Sequence, residues 1–149
     1  MAMTTVQRRL QAPIDAVFGQ LADHAGYARI PDVALAELTR PGSDDPNGVG
    51  AQRHLKLGGT EVWEDIVGFE RPTLMEYRIV RMKPNILRHE LGRITLTEAA
   101  GETDVTWTSQ FHVAIPLLGR FLEKRIDARF RLLFGRMLDH AEQRAQAEA

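Results

Sequence analysis

Residues 51 to 149 constrain the fold most: a series of short segments with strand character, then one unbroken helical stripe. The strand-like segments run at about 51–57, 60–69, 74–82, 87–98 and 103–115, each bounded by turn residues. In the closing stretch "LLGRFLEKRIDARFRLLFGRMLDHAEQRAQAEA", Leu118, Leu122, Ile126, Phe130, Phe134, Met137 and Ala141 recur every three or four positions. That spacing is one continuous face of a long helix. An antiparallel meander with one apolar face must bury it, and the long helix is the element able to cover it. The expected class is therefore α+β.

The first fifty residues add an edge and a cap. "TTVQRRLQ" has strand character, and in "APIDAVFGQLAD" Ile14, Val17, Phe18 and Leu21 take the i, i+3, i+4, i+7 helical spacing. Pro13 suits the first helical turn and Asp15 its positive end. "HAGYARIPDV" predicts a second short helix stopped before Pro31, since the residue preceding a proline avoids the helical region. "VALAELTR" predicts a strand, and "PGSDDPNGVG" a flexible loop rich in turn formers. Nothing resembles an interdomain linker, so residues 1–149 read as a single domain.

With 149 residues the chain can bury one sizeable core. A formal net charge of -1 provides no long-range field for nucleic acid. The absence of cysteine excludes disulfide and thiolate chemistry. With no apolar signal run at the start and no apolar window near bilayer-spanning length, the expected location is the cytoplasm. No His/Asp/Glu spacing suggests a metal site and no phosphate loop follows the glycines of "KLGGTE", so no cofactor is expected.

Strand parity then points to the interior. In "DVTWTSQFHVAI", Val105, Trp107, Ser109, Phe111 and Val113 share one face. A four-residue turn at "AAGE" pairs Leu96 with Val105, Ile94 with Trp107, Gly92 with Ser109 and Glu90 with Phe111. This places Arg88 and Glu90 inward, His89 and His112 outward, and a hollow at Gly92 and Ser109. A four-residue turn at "ERPT" sets Ile66 opposite Tyr77, Glu64 opposite Ile79 and Val62 opposite Arg81. A three-residue turn would instead send Trp63 and Asp65 inward. The first register is preferred for its apolar Ile66–Tyr77 pair. A carboxylate on the interior face must be paired, protonated or hydrated.

Three stretches, "APIDAVFGQLADHAGYARIPDV", "FERPTLMEYRI" and "LGRITLTEAAGETDVTWT", resemble recurring blocks of the START-like, helix-grip (SRPBCC) superfamily, in particular its polyketide cyclase/dehydrase-like branch. The resemblance spans nearly the whole chain and carries no catalytic signature. It implies a seven-stranded antiparallel sheet curved around the C-terminal helix, two short helices after the first strand, and an internal cavity for a hydrophobic small molecule such as a lipid, isoprenoid or polyketide.

The expected ligand-facing set is Glu64, Tyr77, Ile79, Arg88, Glu90, Gly92, Trp107, Ser109 and Phe111. Trp107 and Tyr77 would offer flat walls. Binding of an apolar or aromatic molecule is the leading expectation. Two alternatives stand beside it. One is a cyclase or dehydratase using Glu64, Tyr77, Arg88 and Glu90 as acid/base and oxyanion groups. The other is a subunit that docks on another protein through the 41–50 loop or the C-terminal helix. Ser109 has no expected histidine partner, so no nucleophilic triad is read. The C-terminal helix carries Arg120, Lys124, Arg125, Arg129, Arg131 and Arg136 against Glu123 and Asp127. Membrane contact through it is disfavoured because its apolar stripe is needed by the sheet. Ligand entry is expected past "GYARIPDV" and the 41–50 loop.

Overall fold

A computed structural model describes residues 1–148. Seven strands, β1 (Ala2–Leu10), β2 (Val33–Arg40), β3 (Gln52–Leu57), β4 (Thr60–Glu70), β5 (Leu74–Lys83), β6 (Arg88–Ala99) and β7 (Glu102–His112), form one antiparallel sheet in the order β1-β7-β6-β5-β4-β3-β2. Helix α1 (Ile14–Ala22) follows β1, and α2 (Gly119–Glu148) closes the chain. This is the helix-grip arrangement that the resemblance implied. The "HAGYARIPDV" segment holds a short 3-10 turn at Ala25–Arg29, ended by the extended Ile30 before Pro31. The last strand stops at His112 rather than 115.

Bulges set the parity of the middle strands. The β4–β5 turn is three residues, with Glu70 opposite Leu74, but one register shift between Ile66 and Gly68 restores the parity of a four-residue turn. Ile66 therefore faces Tyr77 and Glu64 faces Ile79 as expected, while a second shift puts Val62 opposite Met82 instead of Arg81. An extra residue on one strand bends it, which helps curl the sheet. Between β6 and β7 the expected pairs Leu96–Val105, Ile94–Trp107 and Gly92–Ser109 are all present. Past them a shift between His89 and Leu91 exchanges the faces: His89 lies opposite Phe111, and Glu90 is looped out.

The helical stripe of α2 divides in two. Phe134, Met137, Leu138, Ala141 and Ala145 are buried, packed with Leu10, Phe18, Leu21 and Ala22 into the main core. Leu122, Ile126 and Phe130 are only partly buried, and Leu118 is exposed. Gly135, costly inside a helix, lies under the Arg8 guanidinium of β1, which also pairs with Asp139 at 2.8 Å.

Candidate ligand-binding cavity

β5 and β6 are paired only from Leu74–Thr95 to Tyr77–Gly92. Beyond that the two strands part, and side chains take over the work of the ladder. The Ile79 amide donates to His89 Nδ1 at 3.0 Å, and Arg78 Nε donates to the Glu90 carbonyl at 3.0 Å. Buried backbone groups need partners, so the bulged His89 is drawn inward where it can supply one. Between this parted region, β3, β4 and the first half of α2 lies a cavity of about 90 Å³. Leu55, Val62, Ile79, Met82, Leu87, Phe130 and Leu133 are among its apolar lining.

Its polar lining is Arg53, Glu64, Tyr77, His89 and Ser109, together with the half-buried Thr60 and the exposed Arg129. Arg53 and Glu64 are direct cross-strand partners, and Arg53 Nε donates to Glu64 Oε1 at 2.6 Å. The Arg53 guanidinium also lies 5.2 Å from the Tyr27 ring centre and 5.0 Å from that of Tyr77. Burial opposes its charge, but the Glu64 carboxylate outweighs that and raises its pKa. Arg53 Nη1 donates to His24 Nδ1 at 3.1 Å, and His24 Nε2 in turn donates to the Asn47 carbonyl at 2.8 Å. Burial, reinforced by the Arg53 charge, lowers the His24 pKa to about 3.

A second chain of contacts runs toward β7. His89 accepts from Ile79 on Nδ1, so its neutral ring carries hydrogen on Nε2, which donates to Ser109 Oγ at 3.0 Å. Burial first, then the Arg78 charge, lower the His89 pKa to about 4. Tyr77 stacks on His89 with centroids 5.5 Å apart, and its hydroxyl accepts from Trp107 Nε1 at 2.9 Å. Burial raises the Tyr77 pKa. Trp107 stacks on Phe134 at 4.2 Å, and Phe130 continues the aromatic row toward Phe111.

Of the nine residues expected to face a ligand, Glu64, Tyr77, Ile79, Trp107 and Ser109 line this cavity. Phe111 is buried beside it, in a satellite cluster with Leu87 and Val113. Gly92 does not open a hollow: a Cβ there would overlap the Tyr77 ring, so the glycine is the seat of that ring. Arg88 and Glu90 are exposed, because the bulge turns His89 inward in their place. The expectation that His89 faces outward and that Ser109 lacks a histidine partner is corrected by the same bulge. His112 is exposed as expected.

The crowded carboxylates of β4 sort by face. Glu61 meets His54 Nε2 at 2.8 Å and Asp65 meets Arg40 at 3.2 Å on the outside, while Glu64 turns in to Arg53. Arg53, which the sequence reading missed, was within reach of it. A two-residue turn at Gly58-Gly59 pairs Leu57 with Thr60 and so carries Arg53 opposite Glu64.

The 41–50 loop is not at the mouth. Asp45 pairs with Arg71 at 2.6 Å, Gly50 donates to the Ile66 carbonyl at 3.1 Å, and His24 holds Asn47. These ties place it at the end of β3 and β4 away from the cavity. Asp32 of the other expected rim segment does reach α2, where Arg136 Nη1 donates to it.

A curved seven-stranded sheet gripping a C-terminal helix over an internal cavity defines the START-like class of domain. The chain belongs to the family described as "Polyketide cyclase / dehydrase and lipid transport", whose model matches residues 1–146. Similar solved structures include TTHA0849 from Thermus thermophilus, 16% identical with 99% of each chain covered and a TM-score of 0.81. A START superfamily protein from Mycobacterium smegmatis is 12% identical over 95% of this chain and 97% of its own, with a TM-score of 0.77. The XoxI protein from Bacillus cereus is 18% identical over 96% and 94%, with a TM-score of 0.72. At these identities the likeness is one of fold. No curated protein matches the sequence. Among the described residues no His, Asp and Glu grouping could hold a metal ion, and no helix is long and apolar enough to cross a membrane.

Proposed function

We propose that this domain binds a small, largely apolar molecule carrying one carbonyl or hydroxyl group, in the space between the sheet and the first half of α2, and holds it without converting it. The observation that carries this reading is the segregation of the lining. Aliphatic and aromatic side chains make up most of the wall, while Arg53, Glu64, Tyr77, His89 and Ser109 form a connected polar strip on the sheet. Such a strip can orient one polar group of an otherwise apolar ligand.

Acid–base turnover fits less well. Glu64 is engaged by Arg53, and both ring nitrogens of His24 and of His89 are committed to neighbours. His89 presents a donor, not a lone pair, to Ser109, so it is in the wrong tautomer to activate that hydroxyl.

At about 90 Å³ the cavity is well below the roughly 300 Å³ usual for small-molecule sites. Occupancy therefore requires the partly buried first half of α2 to move outward. Native mass spectrometry of freshly purified protein, with extraction of anything bound, is the direct test, supported by titration with an environment-sensitive fluorescent fatty acid. Saturable binding that Leu133→Trp abolishes in a folded protein is the expected result. Absence of any saturable apolar ligand would sink the reading. Release of a cyclised product from a poly-β-ketone substrate would replace it with the enzyme alternative.

A further inference from the structure

The chain leaves β7 through an irregular segment and enters α2 with its most exposed apolar residues. Leu117 is 104% exposed at a φ of 69°, Leu118 is 55% exposed and Phe121 58%. A β-carbon-bearing residue at positive φ is uncommon, and here it presents a leucine to solvent. Within the next turn Arg120, Lys124 and Arg125 are all charged and none is fully buried, and the Arg125 guanidinium lies 5.6 Å from the Phe121 ring centre. The acids of this stretch turn elsewhere. Glu123 is partly buried toward His112, at 3.9 Å, and Asp127 accepts from Thr4 at 2.7 Å and from Arg131 at 3.0 Å. The outward surface of this turn is thus apolar at its tip and cationic around it. On the inward side Ile115, Leu122 and Ile126 pack against Leu87, Phe111 and Val113, so the patch is anchored to the domain.

We infer that this turn docks the domain on an anionic lipid bilayer. Leucine and phenylalanine side chains can enter the acyl boundary while arginine and lysine meet the phosphates above it. The charge is of the right sign and is local, which the overall formal charge of -1 conceals. A second copy of the chain is a poor occupant. Three exposed apolar side chains are few beside the roughly 20–30 residues a side of a standard stable interface, and the patch's own cations would face one another across a two-fold axis. The expectation that the sheet uses the whole apolar stripe of the C-terminal helix is corrected here, since Leu118, the first residue of that stripe, lies outside the core, and Phe121 adds an exposed ring beside it. The inference does not depend on what the cavity holds.

Co-sedimentation with phosphatidylcholine vesicles, with and without phosphatidylglycerol, tests it on the full chain. Binding is expected only to the anionic vesicles and should weaken as salt is raised. The triple variant Leu117→Ser, Leu118→Ser, Phe121→Ser should lower partitioning by about tenfold or more. Lys124→Glu with Arg125→Glu should remove the preference for anionic lipid. None of the five positions is buried in the core, so each variant should retain its circular dichroism and thermal midpoint, which separates lost docking from lost folding. Equal binding to both vesicle types, no binding to either, or an unaffected triple variant would overturn the inference. So would self-association that the triple variant abolishes, because a second copy would then be the occupant.

Discussion

The two halves of α2 lie over one curved sheet, yet one half closes a solid core and the other roofs a void. From Leu138 onward the helix packs with α1, and Phe18, Leu21 and Ala22 share the core with Leu138 and Ala141, while Phe134 and Met137 are buried yet stand on the cavity wall. Before Phe134 no second helix is present, and Leu133, Phe130 and Ile126 remain partly exposed along the cavity. A strongly curved sheet encloses more volume than one helix can occupy. Where α1 adds side chains the excess is filled, and where it does not, a pocket remains.

The largest expected effect lies at the boundary between the two ends, where Arg53 links the cavity to His24 and Asn47. Glu64→Gln leaves a buried guanidinium without its counter-charge and should cost about 3–5 kcal/mol in chemical denaturation. Replacing both partners, Arg53→Met with Glu64→Leu, should recover part of that loss, the remainder reflecting His24 Nδ1 left without its donor. If the single substitution costs nothing, the boundary is wetter than the contacts imply.

The comparison between the ends themselves is broken or kept by two truncations. Leu138→Ala, in the solid end, should cost about 2–5 kcal/mol, whereas Leu133→Ala, beside the void, should cost less than about half as much. Equal losses would mean that the cavity end is packed as tightly as the other.

Next in size is acid. The folded pKa values of His89 and His24 are about 4 and about 3, against 6.5 for a free imidazole. Between those values the unfolded chain binds more protons than the native one, so stability is full above about pH 6.5 and falls as pH drops toward the folded values. His89 alone should remove about 2 kcal/mol between pH 7 and pH 5. His89→Gln should flatten the curve at the cavity end while leaving the contribution of His24. An unchanged slope would show that His89 is already protonated or solvated in the native state.

Last comes Tyr77→Phe, which leaves the buried Trp107 indole without its acceptor and should cost about 1–3 kcal/mol, nearer the low end if the neighbouring cavity admits a water, with a change in indole emission. No emission change would mean that the indole finds another partner in the cavity.

The fold was legible because periodicity survives local irregularity. The α2 stripe, the succession of strands along the chain and the Val105–Trp107–Ser109–Phe111 face follow from spacing, whereas the seven-stranded sheet curved around the helix is what the family resemblance implied. The site was legible only as far as the pairing stayed regular. The sequence places Glu64 inward through a four-residue turn preferred for its Ile66–Tyr77 pair; the turn has three residues, and the placement holds because the bulge beyond Ile66 cancels the difference. Arg88, Glu90 and His89 were misplaced because one looped-out residue reverses every position beyond it, and no residue type marks that bulge in advance. Gly92 was read as empty space when it is space already taken by a ring. Arg53 was the avoidable omission, since the Gly58-Gly59 turn fixes its partner.

The substitution of a histidine ring for a strand at Ile79 also sets a clock. An amide held by a neighbouring backbone is released only when strands separate, a cooperative event set by the stability of the sheet. The Ile79 amide is held by one imidazole, and a single side chain can turn aside without the strands separating. The seam between β5 and β6 can therefore breathe many times within the lifetime of the fold around it. Hydrogen exchange at Ile79 should then run far ahead of exchange at Tyr77, two residues away along the same strand and inside the last paired rung of the ladder.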